Sequence, residues 1–195
     1  MNKYFIVYKP FNVLCQFTSQ DGRQTLKNYF DVPYDLYPVG RLDYDSEGLL
    51  ILSNDKKLNH ALLNPAFMHH REYWVQVDGS ITESAIKQLQ RGVDIMVNGK
   101  LYRTKKCTAE LFTTEPEVYP RNPPIRFRKD IPTSWIKLTL TEGKNRQVRK
   151  MTAAVGFPTL RLIRNRIENC SVEGIKPGQM KSLKQEQVYK LLFNK

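Results

Sequence analysis

The sequence predicts an α+β fold with a mixed, mainly antiparallel sheet and flanking helices. Three observations predict it: short stretches with apolar residues at alternate positions, capped windows with a helical apolar face, and no regular strand–helix rhythm. At 195 residues the chain can bury a real core, as one sizeable domain or as two intimate lobes.

The opening "KYFIVYKP" reads as a buried strand stopped by Pro10, which lacks the donor a ladder needs. "DGRQTLKNYF" is a turn leading into a short helix, and "LLIL" after Gly48 is a strand. Asn54 is placed to cap a helix carrying Leu58, Ala61 and Leu62, which Pro65 ends. In "REYWVQVDG", Tyr73, Val75 and Val77 alternate with Trp74 and Gln76, the pattern of a half-buried strand. Ser80 and Glu83 have the spacing of a capping box for a helix through Arg91, with Gly92 at its end. Shorter strands are expected near residues 93–98 and 105–112. "SWIKLTL" sets Ile136, Leu138 and Leu140 on one face and Lys137 and Thr139 on the other. A helix from about Asn145 to Val155 would place Val148, Met151, Thr152 and Val155 on one side and Arg146, Arg149 and Lys150 on the opposite one.

The chain carries 31 Lys and Arg against 19 Asp and Glu, a formal net charge of +12. That balance argues for an acidic partner, nucleic acid first among them. No run approaches a membrane span, the N-terminal apolar stretch is too short for a signal peptide, and no long lysine face marks a membrane surface. Cys15, Cys107 and Cys170 are far apart, and His60, His69 and His70 form no ligand cluster. Reduced thiols in the cytoplasm are therefore expected, and no metal site. "YPRNPPIRFRKDIP" is stiffened by four prolines and holds out Arg121, Arg126, Arg128 and Lys129. A solvated loop and a contact to RNA phosphates both explain it. The basic helix face at Arg146, Arg149 and Lys150 suits phosphate or carboxylate, although a solvated charged face explains those residues taken alone.

One stretch resists this plain reading. "YPVGRLDYDSEGLLILSND" gathers Asp43, Asp45 and Glu47 just after an arginine, in a chain otherwise built for a polyanion. "GRLDYDSEGLLIL" resembles the catalytic-loop motif of RNA pseudouridine synthases. "EGKNRQVRKM" followed by "VGFPTLRLIR" is similar to the later motif of the RsuA branch of that superfamily. The opening "YKP" and the closing "GIKPGQMKSLKQEQ" are similar to its first and last motifs. The likeness spans nearly the whole chain in order. Because the first expected strand begins at about residue 3, the chain is expected to be a single catalytic domain without an N-terminal S4 RNA-binding domain. With "PRNPPIRFRKDIPTSW", it looks most like the compact RluE-type members, which act on large-subunit ribosomal RNA. It departs from many relatives at Glu168, where they have glycine, and at Met180 and Lys181, where tryptophan and arginine are usual.

The resemblance implies a fold with a central active-site cleft and an isomerase that turns uridine into pseudouridine in ribosomal RNA, 23S rRNA in particular. It implies Asp43 as the catalytic aspartate, attacking sugar or base or removing a sugar proton. By the same analogy Arg149 is the cation that offsets burial of that carboxylate, with a fork suited to it. Tyr73 matches the tyrosine that stacks on the target base. Arg41 would fill the space left by the extruded uridine, and Leu162 would floor the pocket. Lys144, Arg146, Lys150, Arg121, Arg126 and Arg128 are the expected RNA contacts. No cofactor is needed, because the atoms rearrange without net redox or hydrolysis. The expected partner is large-subunit rRNA or its assembly intermediates, with no membrane, bound by a monomer. Asp45 and Glu47 are assigned structural work, capping the turn into "GLLIL" or pairing with nearby lysines. Without the family, Tyr73 is an ordinary strand aromatic and Arg149 a solvated helix charge; the joint pattern lifts them above that. A non-catalytic rRNA-binding or assembly protein would need no such set, and a glycosidase would need two acids across a cleft.

Overall fold

The computed structural model describes residues 1–125 and 131–193. In chain order its elements are β1 (Tyr4–Lys9), β2 (Tyr37–Val39), β3 (Glu47–Ser53), α1 (Lys56–Leu63), β4 (Arg71–Asp78), α2 (Glu83–Arg91), β5 (Asp94–Val97), β6 (Lys100–Arg103), β7 (Thr108–Leu111), β8 (Thr133–Leu140), α3 (Gln147–Ala154), β9 (Thr159–Ile167), β10 (Cys170–Ser171), β11 (Met180–Leu183) and α4 (Gln185–Phe193). Most strand pairs are antiparallel and β3 with β9 is parallel, so the architecture is the mixed α+β one that the sequence predicts. The chain divides into two compact units. Unit 1 comprises Met1–His69 and Ile163–Lys195, and unit 2 comprises His70–Leu162.

In unit 1 the strands run in the order β11–β1–β3–β9. All seven residues of β3 are buried, because the strand is covered on both faces, which is why "LLIL" shows no alternation. Leu50 and Leu52 pack with Val7, Val13, Leu26 and Phe30 in one apolar cluster. The helix cap differs from expectation by one residue. Asp55, not Asn54, is the N-cap of α1 and accepts from the Lys57 and Leu58 amides. Asn54 instead accepts from the Lys3 amide at 2.8 Å and donates to Asp35.

In unit 2, β8 lies between β4 and β7, antiparallel to both, with Val75 opposite Ile136 and Tyr73 opposite Leu138. Val75, Val77, Ile136, Leu138, Leu89 of α2 and Met151 of α3 form the core. Thr82, rather than Ser80, caps α2, its hydroxyl accepting from the Ala85 amide. The stretch near 93–98 is the first strand of a β5–β6 hairpin turned by Asn98 and Gly99. The expected basic helix is α3. It starts two residues later than predicted, because Arg146 adopts a left-handed conformation at φ 51° and becomes its N-cap. Among the described residues no helix is long and apolar enough to cross a membrane.

Candidate active site

Asp43 is carried by the turn that joins β2 to β3. The edge of β3 is taken by β2 at Ile51–Ser53 and by β9 at Glu47–Gly48, so residues 40–46 lie where that edge changes partner. Gly40 starts the turn at φ +76°, and a Cβ there would meet Leu63 Cδ2 at 2.9 Å. The Ser46 amide donates to Asp43 O at 3.1 Å and closes the turn. At Gly48 a Cβ would lie 2.3 Å from Arg164 O, so the approach of β9 to β3 requires glycine. Arg41 is exposed, Leu42 is buried, and Asp43 is half-buried between them and Tyr44.

Three side chains from elsewhere in unit 1 hold the backbone of this turn. Arg164 donates from Nη1 to Arg41 O at 3.4 Å and from Nε to Leu49 O at 2.8 Å. Cys15 Sγ accepts the Leu42 amide at 3.1 Å. Lys9 Nζ donates to Val13 O at 2.8 Å, Pro10 O at 2.9 Å and Tyr44 O at 3.4 Å. Burial lowers the Lys9 pKa to about 8, while Cys15, Glu47, Asp45 and Asp43 pull it back up. The acids that looked out of place in a basic chain therefore act electrostatically on a buried cation. The sequence reading placed Lys9 and Arg164 in family-like motifs and Cys15 among the thiols, but gave none of them a role at this turn. A lysine closing a strand and an arginine inside one look like ordinary edge charges, and only three-dimensional placement reveals them as buried.

The remaining candidates lie in unit 2. Tyr73 sits on β4, half-buried, its ring against the apolar core. Arg149 lies in the first turn of α3 and is half-buried. Val148 and Met151 anchor α3 in the same core as Leu162, which is 5% exposed. Leu162 thus shares the core that anchors the helix carrying Arg149.

The N-terminus of α3 is braced by Glu142 and Gln147, two residues to which the sequence reading gave no role. The Glu142 carboxylate accepts from Tyr102 Oη, from the Lys105 amide at 2.9 Å and from Gln147 Nε2 at 2.6 Å. That bond to carboxylate, with burial second, pushes the Tyr102 pKa up to about 12. Gln147 Oε1 in turn accepts the Lys144 amide at 2.8 Å. Lys144 is exposed with Nζ over the Tyr102 ring at 4.9 Å, Arg146 is exposed, and Lys150 is half-buried. Arg121 donates from Nε to Pro123 O at 2.9 Å. Arg126 and Arg128 lie outside the described residues. Among the described residues no group of three or more His, Cys, Asp or Glu is placed to hold a metal ion.

The sequence model of a family described as "RNA pseudouridylate synthase" matches residues 3–154. The chain is 45% identical over 181 residues to "Ribosomal large subunit pseudouridine synthase E" of Vibrio parahaemolyticus serotype O3:K6, covering 93% of this chain and 74% of that protein. It is 42% identical over 174 residues to the protein of the same name in Xanthomonas axonopodis pv. citri, covering 88% and 89%. It is 32% identical over 189 residues to "Ribosomal large subunit pseudouridine synthase B" of Bacillus subtilis, covering 96% and 70%. Among solved structures, "Crystal structure of pseudouridylate synthase" matches with a TM-score of 0.78 at 26% identity, covering 98% of this chain and 74% of that one.

Proposed function

The chain belongs to the RNA pseudouridylate synthase family, and we propose that it isomerises one uridine to pseudouridine in large-subunit ribosomal RNA. The observation that carries this reading is a half-buried Asp43 on a turn held by side chains, in a chain matched over nearly its whole length by large-subunit synthases.

The reaction breaks the N1–C1′ bond, turns the uracil, joins C5 to C1′, and moves the C5 proton to solvent while N1 gains one. Atoms and electrons balance within the nucleotide, so the reading calls for no cofactor. Asp43 is the acid, ionised to attack sugar or base or to take a sugar proton. Arg149 offers a planar two-point fork suited to a carboxylate, the cation that offsets the burial of an ionised acid. Tyr73 stacks on the uracil through its ring, and its hydroxyl helps remove the C5 proton. Extruding the base leaves a gap in the RNA, which Arg41, exposed beside Asp43, is suited to occupy. Lys144, Arg146, Lys150 and Arg121, with Arg126 and Arg128, meet RNA phosphates, and Leu162 supports the pocket from the core. We take the enzyme as a cytoplasmic monomer, in keeping with its free Cys15, Cys107 and Cys170 thiols.

Pseudouridine mapping of ribosomal RNA from cells with and without this protein tests the reading. A single large-subunit position should lose its pseudouridine in the deleted strain and regain it on complementation. An unchanged map of both subunits would overturn it.

A further inference from the structure

We propose that Lys9, Cys15 and Arg164 are positioning residues that set the geometry of the Asp43 turn, an inference that rests on Asp43 being the catalytic acid. The carbonyls of Arg41 and Tyr44 flank Asp43, and each accepts from a buried cation, Arg164 Nη1 and Lys9 Nζ, both at 3.4 Å. Between them the Leu42 amide is taken by Cys15 Sγ at 3.1 Å. Both sides of Asp43 are therefore tied to residues outside the turn. Lys9 ends β1, Cys15 follows it, and Arg164 lies in β9. The cations are themselves fixed, Lys9 by Pro10 O and Val13 O and Arg164 by Leu49 O.

This is a costly way to hold a turn. Its carbonyls could be satisfied by water, whereas Lys9 is 0% and Arg164 5% exposed, and burying a charge opposes folding. Arg164 Nη2 is also buried, with no hydrogen-bond partner among the described residues. Proteins rarely leave such groups unsatisfied. Local violations of this kind concentrate where function demands them. Lys9 adds an electrostatic element. Burial lowers its pKa to about 8, against the electrostatic pull of Cys15, Glu47, Asp45 and Asp43. The protonated form is the one that counters the carboxylates, so this support is present below pH 8 and lost above it.

The test compares Lys9→Met, Cys15→Ala and Cys15→Ser in the intact protein. It reads single-turnover pseudouridine formation at saturating enzyme, RNA affinity, and the rate profile from pH 6 to 9. Lys9→Met and Cys15→Ala should slow the single-turnover rate roughly 10–100-fold, the scale of a slightly misplaced group, with RNA affinity unchanged. Cys15→Ser, which keeps an acceptor for the Leu42 amide, should stay near wild type. Wild-type activity should fall above pH 8, and Lys9→Met should lack that limb. Should Lys9→Met fail to fold, the half-buried Cys15 pair decides alone. Folded Lys9→Met and Cys15→Ala with wild-type rates and an unchanged pH profile would overturn the proposal. Asp43→Asn runs alongside: wild-type turnover there removes the parent assignment of Asp43, a failure distinct from that of its supports.

Discussion

Arg149 is where one side chain distinguishes a catalytic role from a surface one. A solvated helix arginine is replaceable by lysine at almost no loss, since exposed pairs contribute about 0–1 kcal/mol. Arg149 is half-buried on a helix anchored by Val148 and Met151, and a planar fork there has orientation as well as charge. Arg149→Lys should therefore lower single-turnover pseudouridine formation measurably. Arg149→Ala should lower it further, by roughly 10²–10³-fold, the loss seen when one preorganised donor is removed. RNA affinity, measured in parallel, should change little. A lysine variant at the wild-type rate would return Arg149 to the surface.

At the scale of elements, Asp55 joins three parts of unit 1. Its carboxylate caps α1 and accepts from Tyr4 of β1 at 2.7 Å and Tyr189 of α4 at 2.8 Å. Burial pushes the Asp55 pKa up, but the two hydroxyls and the Leu58 and Lys57 amides outweigh it and hold the carboxyl below its usual range. A depressed pKa means that its stabilisation is complete above the unfolded value of about 3.9 and fades as pH falls through the lower folded value. Asp55→Ala should cost about 2–4 kcal/mol at pH 7, from a lost cap and two stranded tyrosines. Asp55→Asn, still a competent cap, should cost less, and its deficit in denaturant melts should shrink as pH drops below 4. The position of this cap was not legible in the sequence. Asn54 and Asp55 are adjacent and equally good caps, and the choice falls to Asp55 because Tyr4 and Tyr189 converge on it. Ser80 and Thr82 pose the same ambiguity, which the contact of Ser134 Oγ with the Ile81 amide helps fix. What periodicity encodes, the β1, β4 and β8 strands and the apolar side of α3, was legible. What depends on partners distant in sequence, such as Tyr102 on Glu142 or Arg164 on Arg41, was not.

For the whole molecule, the net charge of +12 sets the physics of encounter. Lysine and arginine contacts displace condensed counterions, so RNA affinity should fall steeply with salt. A protein making about 6–10 phosphate contacts on a duplex loses roughly 10³–10⁵-fold between 50 and 200 mM, and less on single strands. Filter binding across that range measures the slope, and a nearly flat response would count against a backbone-dominated interface. Affinity, however, does not define the reaction, and the central claim concerns Asp43. The direct measurement is single-turnover conversion of large-subunit rRNA by wild type and Asp43→Asn, read as pseudouridine formed and free uracil released. The account predicts pseudouridine at one position with the RNA intact and no free uracil for wild type, and no product from an Asp43→Asn protein that still folds and binds. Asp43→Asn turnover at the wild-type rate, or release of uracil in place of pseudouridine, would contradict it.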